Sequence, residues 1–245
     1  MKLLLDMGNT RLKWALTSDR WLAHGAVGWN EDLDAALTEG LTSWPRPDIV
    51  LAASVVDSTR EALIAAIVMR LCAQPIDWRR SPAAACGVRN AYAEPQRLGV
   101  DRFLAMVAAH AHGGGPHVLV GVGTALTLDA LATDGRHLGG LIAPGPMLMQ
   151  QTLLSATAQV RMDAAGRVQE RADNTTDAVV SGCWLAAVAL IERFVGQSTD
   201  DLGARPTLCL SGGDAEQLVP LLSMPAQVTH NAVLRGLALW ADADE

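Results

Sequence analysis

Lysine is almost missing from this 245-residue sequence: Lys2 and Lys13 are the only two, and the other seventeen basic residues are arginines. Acidic residues outnumber basic ones 26 to 19, for a formal charge of −7. No basic stripe forms, which disfavours a nucleic-acid-backbone binder. The four cysteines, Cys72, Cys86, Cys183 and Cys209, make no CxxC pair. They fit neither a zinc site nor a disulfide framework, and scattered thiols suit a cytoplasmic protein. The histidines form no HExxH spacing, and neither a GxSxG elbow nor a GxxxxGK[ST] phosphate loop occurs. The first apolar run meets Asp6 too early for a secretory signal. Runs such as 62–69 are too short to cross a bilayer, so no membrane association is expected.

Half of the residues are hydrophobic and 18% are charged, which is globular composition. Residues 2–5 and 12–16 read as a hairpin around a Gly-Asn-Thr turn, with a third strand near 25–27. A helix is expected over 32–42, a buried strand over 49–54 and a strand over 76–78. Another helix is expected over 58–71, capped by Ser58 with Glu61 as its capping-box partner. Residues 81–95 read as loop and 98–112 as a helix or a turn leading into one. Gly113-Gly114-Gly115-Pro116 is the strongest breaker, and places a boundary between domains 1–114 and 115–245. The pattern then restarts. Strands are expected at 118–122, 126–131, 137–142, 207–210 and 227–229, and helices at 144–154, 175–194, 215–222 and 232–241. Both halves open on three strands, which predicts two α/β domains of similar topology with a cleft between them.

Six stretches can carry chemistry. Asp6-Met7-Gly8-Asn9-Thr10-Arg11-Leu12-Lys13 joins a strand-end carboxylate, a permissive glycine and one of the two lysines. Such a set can hold hydrated Mg²⁺ and phosphates, although an ordinary hairpin turn reads the same way. The stretch 90–102 contains the only tyrosine, Tyr92, and ends Gly99-Val100-Asp101-Arg102. Here one residue can act as a general base and the other as an anion clamp, or both can simply start a helix. Gly121-Val122-Gly123-Thr124 suits a second phosphate-cradling turn or a buried hairpin. Gly139–Pro146 forms a strand-to-helix corner, and Ser211–Ala215 opens a helix on two glycines. Thr175 either N-caps a long helix or binds an anion there.

In this order the stretches resemble type III pantothenate kinases, of the acetate-kinase/sugar-kinase/Hsp70/actin superfamily. The resemblance rests on DxGNTxxK at 6–13, YxxPxxLGxDR at 92–102, GTAxT at 123–127, GGxIxPG at 139–145, NTxxA at 174–178 and GGDA at 212–215. It implies an α/β fold of two RNase H-like, actin-like ATPase domains. It also implies a homodimer that uses ATP and Mg²⁺ to phosphorylate pantothenate to 4'-phosphopantothenate, the first step of coenzyme A synthesis. By that resemblance Asp6, Met7, Gly8, Asn9, Thr10, Arg11, Leu12, Lys13 and Thr124 contact ATP, with Asp6 toward the metal. Asp101 accepts the substrate proton, and Tyr92, Gly99, Val100, Asp101, Arg102 and Thr175 contact pantothenate.

One position departs from the family. Gly121 stands where relatives commonly carry an aspartate that helps hold K⁺ or NH₄⁺, and the nearest following carboxylate is Asp129. This leaves the monovalent cation site in doubt. It also keeps a second reading open: a catalytically weak or inactive nucleotide-binding accessory or regulatory protein.

Overall fold

The computed structural model describes residues 1–157 and 165–243 and divides the chain into two compact units. The first comprises Met1–His112 together with the stretch from Asn231 onward; the second is Gly113–His230.

In the first unit, β1 (Lys2–Met7) pairs antiparallel with β2 (Arg11–Thr17), which pairs with β3 (Trp21–Gly28). On its other side β1 runs parallel to β4 (Ile49–Ser54), and β4 parallel to β5 (Ile76–Arg79). The order is therefore β3-β2-β1-β4-β5. Alternation along β1 sends Leu3, Leu5 and Met7 into one core. There they meet Leu33, Leu37 and Leu41 of α1 (Leu33–Leu41) and Ile64, Ile67 and Val68 of α2 (Ser58–Cys72). These helical positions recur at the three-to-four spacing of an amphipathic face. Leu4 and Asp6 lie on the opposite face of β1.

Asp57, rather than the expected Ser58, caps α2: its carboxylate accepts from the amides of Thr59 and Arg60. Glu61 accepts instead from Arg80, at 2.8 Å. The segment read as loop over 81–95 contains a small hairpin, β6 (Ala84–Ala85) with β7 (Val88–Arg89). It leads into α3 (Val100–His112).

The second unit repeats the plan. Its strands β8 (His117–Val122), β9 (Ala125–Leu131), β10 (His137–Pro144), β11 (Thr207–Ser211) and β12 (Gln227–Val228) take the order β10-β9-β8-β11-β12. The two sheets thus match strand for strand, which is the RNase H-like duplication. Between β10 and β11 come α4 (Pro146–Ala156) and α5 (Thr175–Leu202), and α6 (Ala215–Leu218) follows β11.

The 28-residue α5 extends eight residues past the expected end at 194. By length and composition alone it could cross a membrane, although no long uninterrupted apolar run marks it in the sequence. Its Val180, Trp184, Ala187, Val188, Ile191 and Val195 pack instead into the core against β8 and β9. Asn174, not Thr175, is its N-cap and accepts from the Asp177 amide at 2.9 Å. The helix expected over 215–222 is α-helical only to Leu218, and Pro220 sits in a following 3₁₀ turn.

The main departure concerns the domain boundary. The expected second domain ran to residue 245, but α7 (Ala232–Ala243) packs on α3, β1 and β4 of the first unit. Phe103 of α3 meets Trp240 of α7 with ring centroids 5.8 Å apart. The helices approach so closely that a Cβ on Gly236 would lie 2.0 Å from the Leu104 carbonyl oxygen. Periodicity cannot say which sheet a terminal helix returns to. Residues 158–164 and 244–245 of that expected domain lie outside the described residues.

Candidate active site

The carboxyl ends of the parallel strands of the first unit carry the first motif, as open α/β sheets favour for ligand sites. Asp6 lies directly opposite Lys13 in the β1–β2 ladder. Such cross-strand neighbours stand about 5 Å apart at Cβ. Asp6 is only 8% exposed. Burial pushes its carboxyl from the ordinary 3.8 up to about 7; the Lys13 charge pulls it down, and the Asp101 charge pushes it further up. Asp6, Lys13 and Asp101 therefore share one electrostatic environment.

Between the strands, the Gly8 amide donates to the Arg11 carbonyl at 3.2 Å, closing the turn. Asn9, Thr10 and Arg11 are exposed, whereas Met7 and Leu12 have no exposure and face the core. Any contact that Met7 and Leu12 make with a nucleotide is through the backbone.

Asp101 occupies the first turn of α3, where the helix dipole favours a carboxylate, and its Oδ1 accepts from the Arg102 amide at 2.9 Å. A Cβ on Gly99 would lie 2.5 Å from that Oδ1, so the glycine makes room for the carboxylate. Arg102 is 6% exposed, and its Nη1 donates to the Tyr92 hydroxyl at 3.2 Å. Its guanidinium also stands 5.9 Å from the centre of the Tyr92 ring. Val100 is buried, which leaves it only backbone to offer.

The loop carrying Tyr92 is tied down by residues to which the sequence assigned no role. Asn90 Nδ2 donates to the carbonyls of Pro82 and Pro95, each at 3.2 Å, while Asn90 Oδ1 accepts from the Tyr92 amide at 3.0 Å. The buried Ser81 hydroxyl donates to the Leu98 carbonyl at 2.8 Å. An asparagine just before a short loop is the only sequence signal that pointed there.

In the second unit, three glycine-containing motifs distant in sequence meet at one end of the sheet. The Gly145 amide donates to the Thr124 carbonyl at 2.9 Å, and the Asp214 amide to the Val122 carbonyl at 3.3 Å. Gly212 takes φ +105°, a conformation open to glycine, and passes directly against Val122. Thr124 is exposed in the β8–β9 turn.

Gly121 pairs with Thr127 in the β8–β9 ladder, and a Cβ on Gly121 would lie 2.6 Å from Thr127 Oγ1. A hydroxyl thus fills the space that a side chain at 121 would enter. The nearest following carboxylate, Asp129, is buried and bonded to His137 Nε2 at 2.9 Å.

Thr175 is exposed at the start of α5. Beside it, Asp177 accepts from the Arg167 amide at 2.8 Å and from Gln169 Nε2 at 2.7 Å. These bonds, led by that of the Arg167 amide, hold the Asp177 carboxyl below its ordinary range.

Comparison with known proteins adds family membership to this geometry. Residues 2–197 match the family model described as type III pantothenate kinase. The chain is 43% identical over 242 residues to the type III pantothenate kinase of Laribacter hongkongensis, covering 97% of each chain. It is 40% identical over 245 residues to that of Aromatoleum aromaticum, covering 100% of this chain and 99% of the relative. Among solved structures, it superposes with TM-score 0.63 and 19% identity on a Campylobacter jejuni protein assigned to the Baf family of transcriptional activators, covering 99% and 98% of the two chains. It also superposes, with TM-score 0.52 and 10% identity, on a Clostridium difficile activator of 2-hydroxyisocaproyl-CoA dehydratase with bound ADPNP, covering 99% and 94%. At these identities the structural likeness concerns fold alone. The family model and the nearly full-length relatives establish that this chain belongs to the type III pantothenate kinase family.

Proposed function

We propose that the chain transfers the γ-phosphoryl group of ATP to the terminal hydroxyl of pantothenate, yielding 4'-phosphopantothenate and ADP. The observation that carries this reading is the convergence of Asp6, Lys13 and Asp101 in one unit, where the charges of the other two act on the Asp6 carboxyl. Phosphoryl transfer demands positioning and charge neutralisation more than covalent chemistry. The Asp101 carboxylate takes the hydroxyl proton as the substrate oxygen attacks the γ-phosphorus. The bond from that phosphorus to the β–γ bridging oxygen breaks, and ADP leaves. Proton transfer comes late in a loose transition state, so an aspartate, weak as a base, suffices when well placed. Arg102, with Tyr92 beside it, clamps the pantothenate carboxylate, and Gly99 and Val100 offer backbone. The turn Gly8–Arg11 with Lys13 cradles phosphates, and Met7 and Leu12 present backbone only.

A buried carboxyl raised to about 7 suits a divalent cation, whose charge would restore its ionised form. Asp6 would hold Mg²⁺ in this way, and the ion would neutralise charge on the phosphates. The residues do not fit the monovalent cation site that the family resemblance implied, because position 121 supplies no carboxylate and Asp129 is engaged by His137.

The test is ADP release with ATP, Mg²⁺ and pantothenate, in sodium salts alone and with added K⁺ or NH₄⁺. We expect pantothenate-dependent turnover that changes less than twofold between the salts. A strong rise with K⁺ would show that a cation site is built from other groups. Binding of ATP without turnover in any salt would instead support the accessory or regulatory reading.

We further propose a cytoplasmic homodimer. Leu141 and Ile142, on the sheet-edge strand β10, are 42% and 65% exposed, and Met147 and Leu153 of α4 are exposed beside them in sequence. Apolar edges of this kind are ordinarily covered. Ile142→Asp is expected to halve the mass measured by sedimentation; a monomeric wild type would overturn the dimer.

A further inference from the structure

We propose that Trp29 is a positioning residue for the nucleotide loop, locking the Gly8–Asn9 peptide so that the Asn9 N–H faces a phosphate oxygen. This rests on the reading of Gly8–Arg11 as the ATP phosphate turn.

Trp29 follows directly on β3, whose last residue, Gly28, pairs with Arg11 at the start of β2. Its indole Nε1 donates to the Gly8 carbonyl oxygen at 2.8 Å across 21 residues of sequence. A trans peptide is planar, and its C=O and N–H point in opposite directions. Holding the Gly8 oxygen against the indole therefore turns the Asn9 N–H away from it. Among the described residues that amide donates to no group, and Asn9 is exposed. An oriented, unused backbone N–H in an exposed turn is an anion donor.

The lock is needed because of Gly8. Glycine leaves its own ψ, the dihedral that leads into this peptide, free, and its amide bond to the Arg11 carbonyl at 3.2 Å does not fix where its own carbonyl points. The indole that does so is itself held. It packs on the core of the first unit, and the Arg60 guanidinium stands 5.1 Å from the ring centroid. Arg60 in turn pairs with Asp57, the cap of α2, at 3.6 Å. Gly28, just before the tryptophan, donates its amide to Glu31 Oε1 at 2.9 Å.

Trp29→Phe keeps an aromatic face for Arg60 and the core while deleting the N–H. One hydrogen bond of this kind corresponds to roughly a threefold to tenfold change in binding. We expect the KM for ATP to rise and ADP affinity to fall by that factor. Affinity for AMP, the KM for pantothenate, kcat at saturating ATP and Tm should stay near wild type. Unchanged ATP and ADP affinities would overturn the inference. So would a general fall in Tm, kcat and AMP binding, which would mark Trp29 as structural. Failure of the underlying ATP reading would look different: the wild type would show no ATP affinity, or Lys13→Ala would leave that affinity intact.

Discussion

Asp101→Asn is expected to lower kcat by about 10²- to 10⁴-fold, the usual contribution of a positioned general base, with the KM for ATP within twofold of wild type. The substitution is nearly isosteric. Asparagine keeps an Oδ1 acceptor for the Arg102 amide, now bonded at 2.9 Å, and it still fits beside Gly99. The fold and the Tyr92–Arg102 contact should therefore survive, and circular dichroism and Tm should match wild type. What is lost is the ability to take the hydroxyl proton. Steady-state ADP release at saturating ATP and pantothenate is the measurement. A variant retaining a third or more of the wild-type kcat would remove Asp101 from the role of base and point to substrate or solvent as proton acceptor.

Asp6→Asn should separate stability from activity in opposite directions. In the folded chain the Asp6 carboxyl titrates near 7 rather than 3.8, chiefly because it is buried. A raised carboxyl favours folding in its protonated form. That stability is fully present below the unfolded value of 3.8 and is lost as pH rises through about 7. Above pH 7, without metal, the ionised group costs about 4 kcal/mol relative to the unfolded chain, at 1.36 kcal/mol per pH unit. Asparagine is neutral throughout. Without Mg²⁺, Asp6→Asn should therefore melt several degrees above wild type at pH 8 and close to wild type at pH 4. Adding Mg²⁺ and ATP should raise Tm for wild type and hardly at all for the variant, whose turnover should be lost. By the same logic, wild-type kcat/KM for ATP should fall as pH drops below about 7 at limiting Mg²⁺, because protons then compete with the cation. A variant less stable than wild type at pH 8, or a stability difference that does not vary with pH, would contradict the burial argument.

Much of the chemistry was legible because it is written in short stretches of sequence. Asp6 to Lys13 is one hairpin, and a hairpin register follows from its turn, so the cross-strand meeting of Asp6 and Lys13 was implicit in a spacing of seven residues. Asp101 and Arg102 open a helix whose periodicity is readable, and Gly99 precedes them by two residues. The duplicated three-strand openings showed two units of one plan.

Other features depended on backbone geometry or on contacts between distant segments. Asp57 rather than Ser58 caps α2, because both residue types cap helices and only backbone geometry chooses between adjacent candidates. Asn174 displaces Thr175 for the same reason. The bond from Trp29 to the Gly8 carbonyl has no sequence signature, since a tryptophan after a strand ordinarily reads as packing.

What the sequence determined by itself was local: the strands and helices, the glycine turns, and the order of motifs that carries family membership. Which segments meet was set by tertiary packing. It returned α7 to the first unit through close packing at Gly236. It buried Asp6 deeply enough to move its titration to about 7. Patterning and turn chemistry act over a few residues, whereas burial, close approach and shared electrostatic fields exist only once remote segments are packed together.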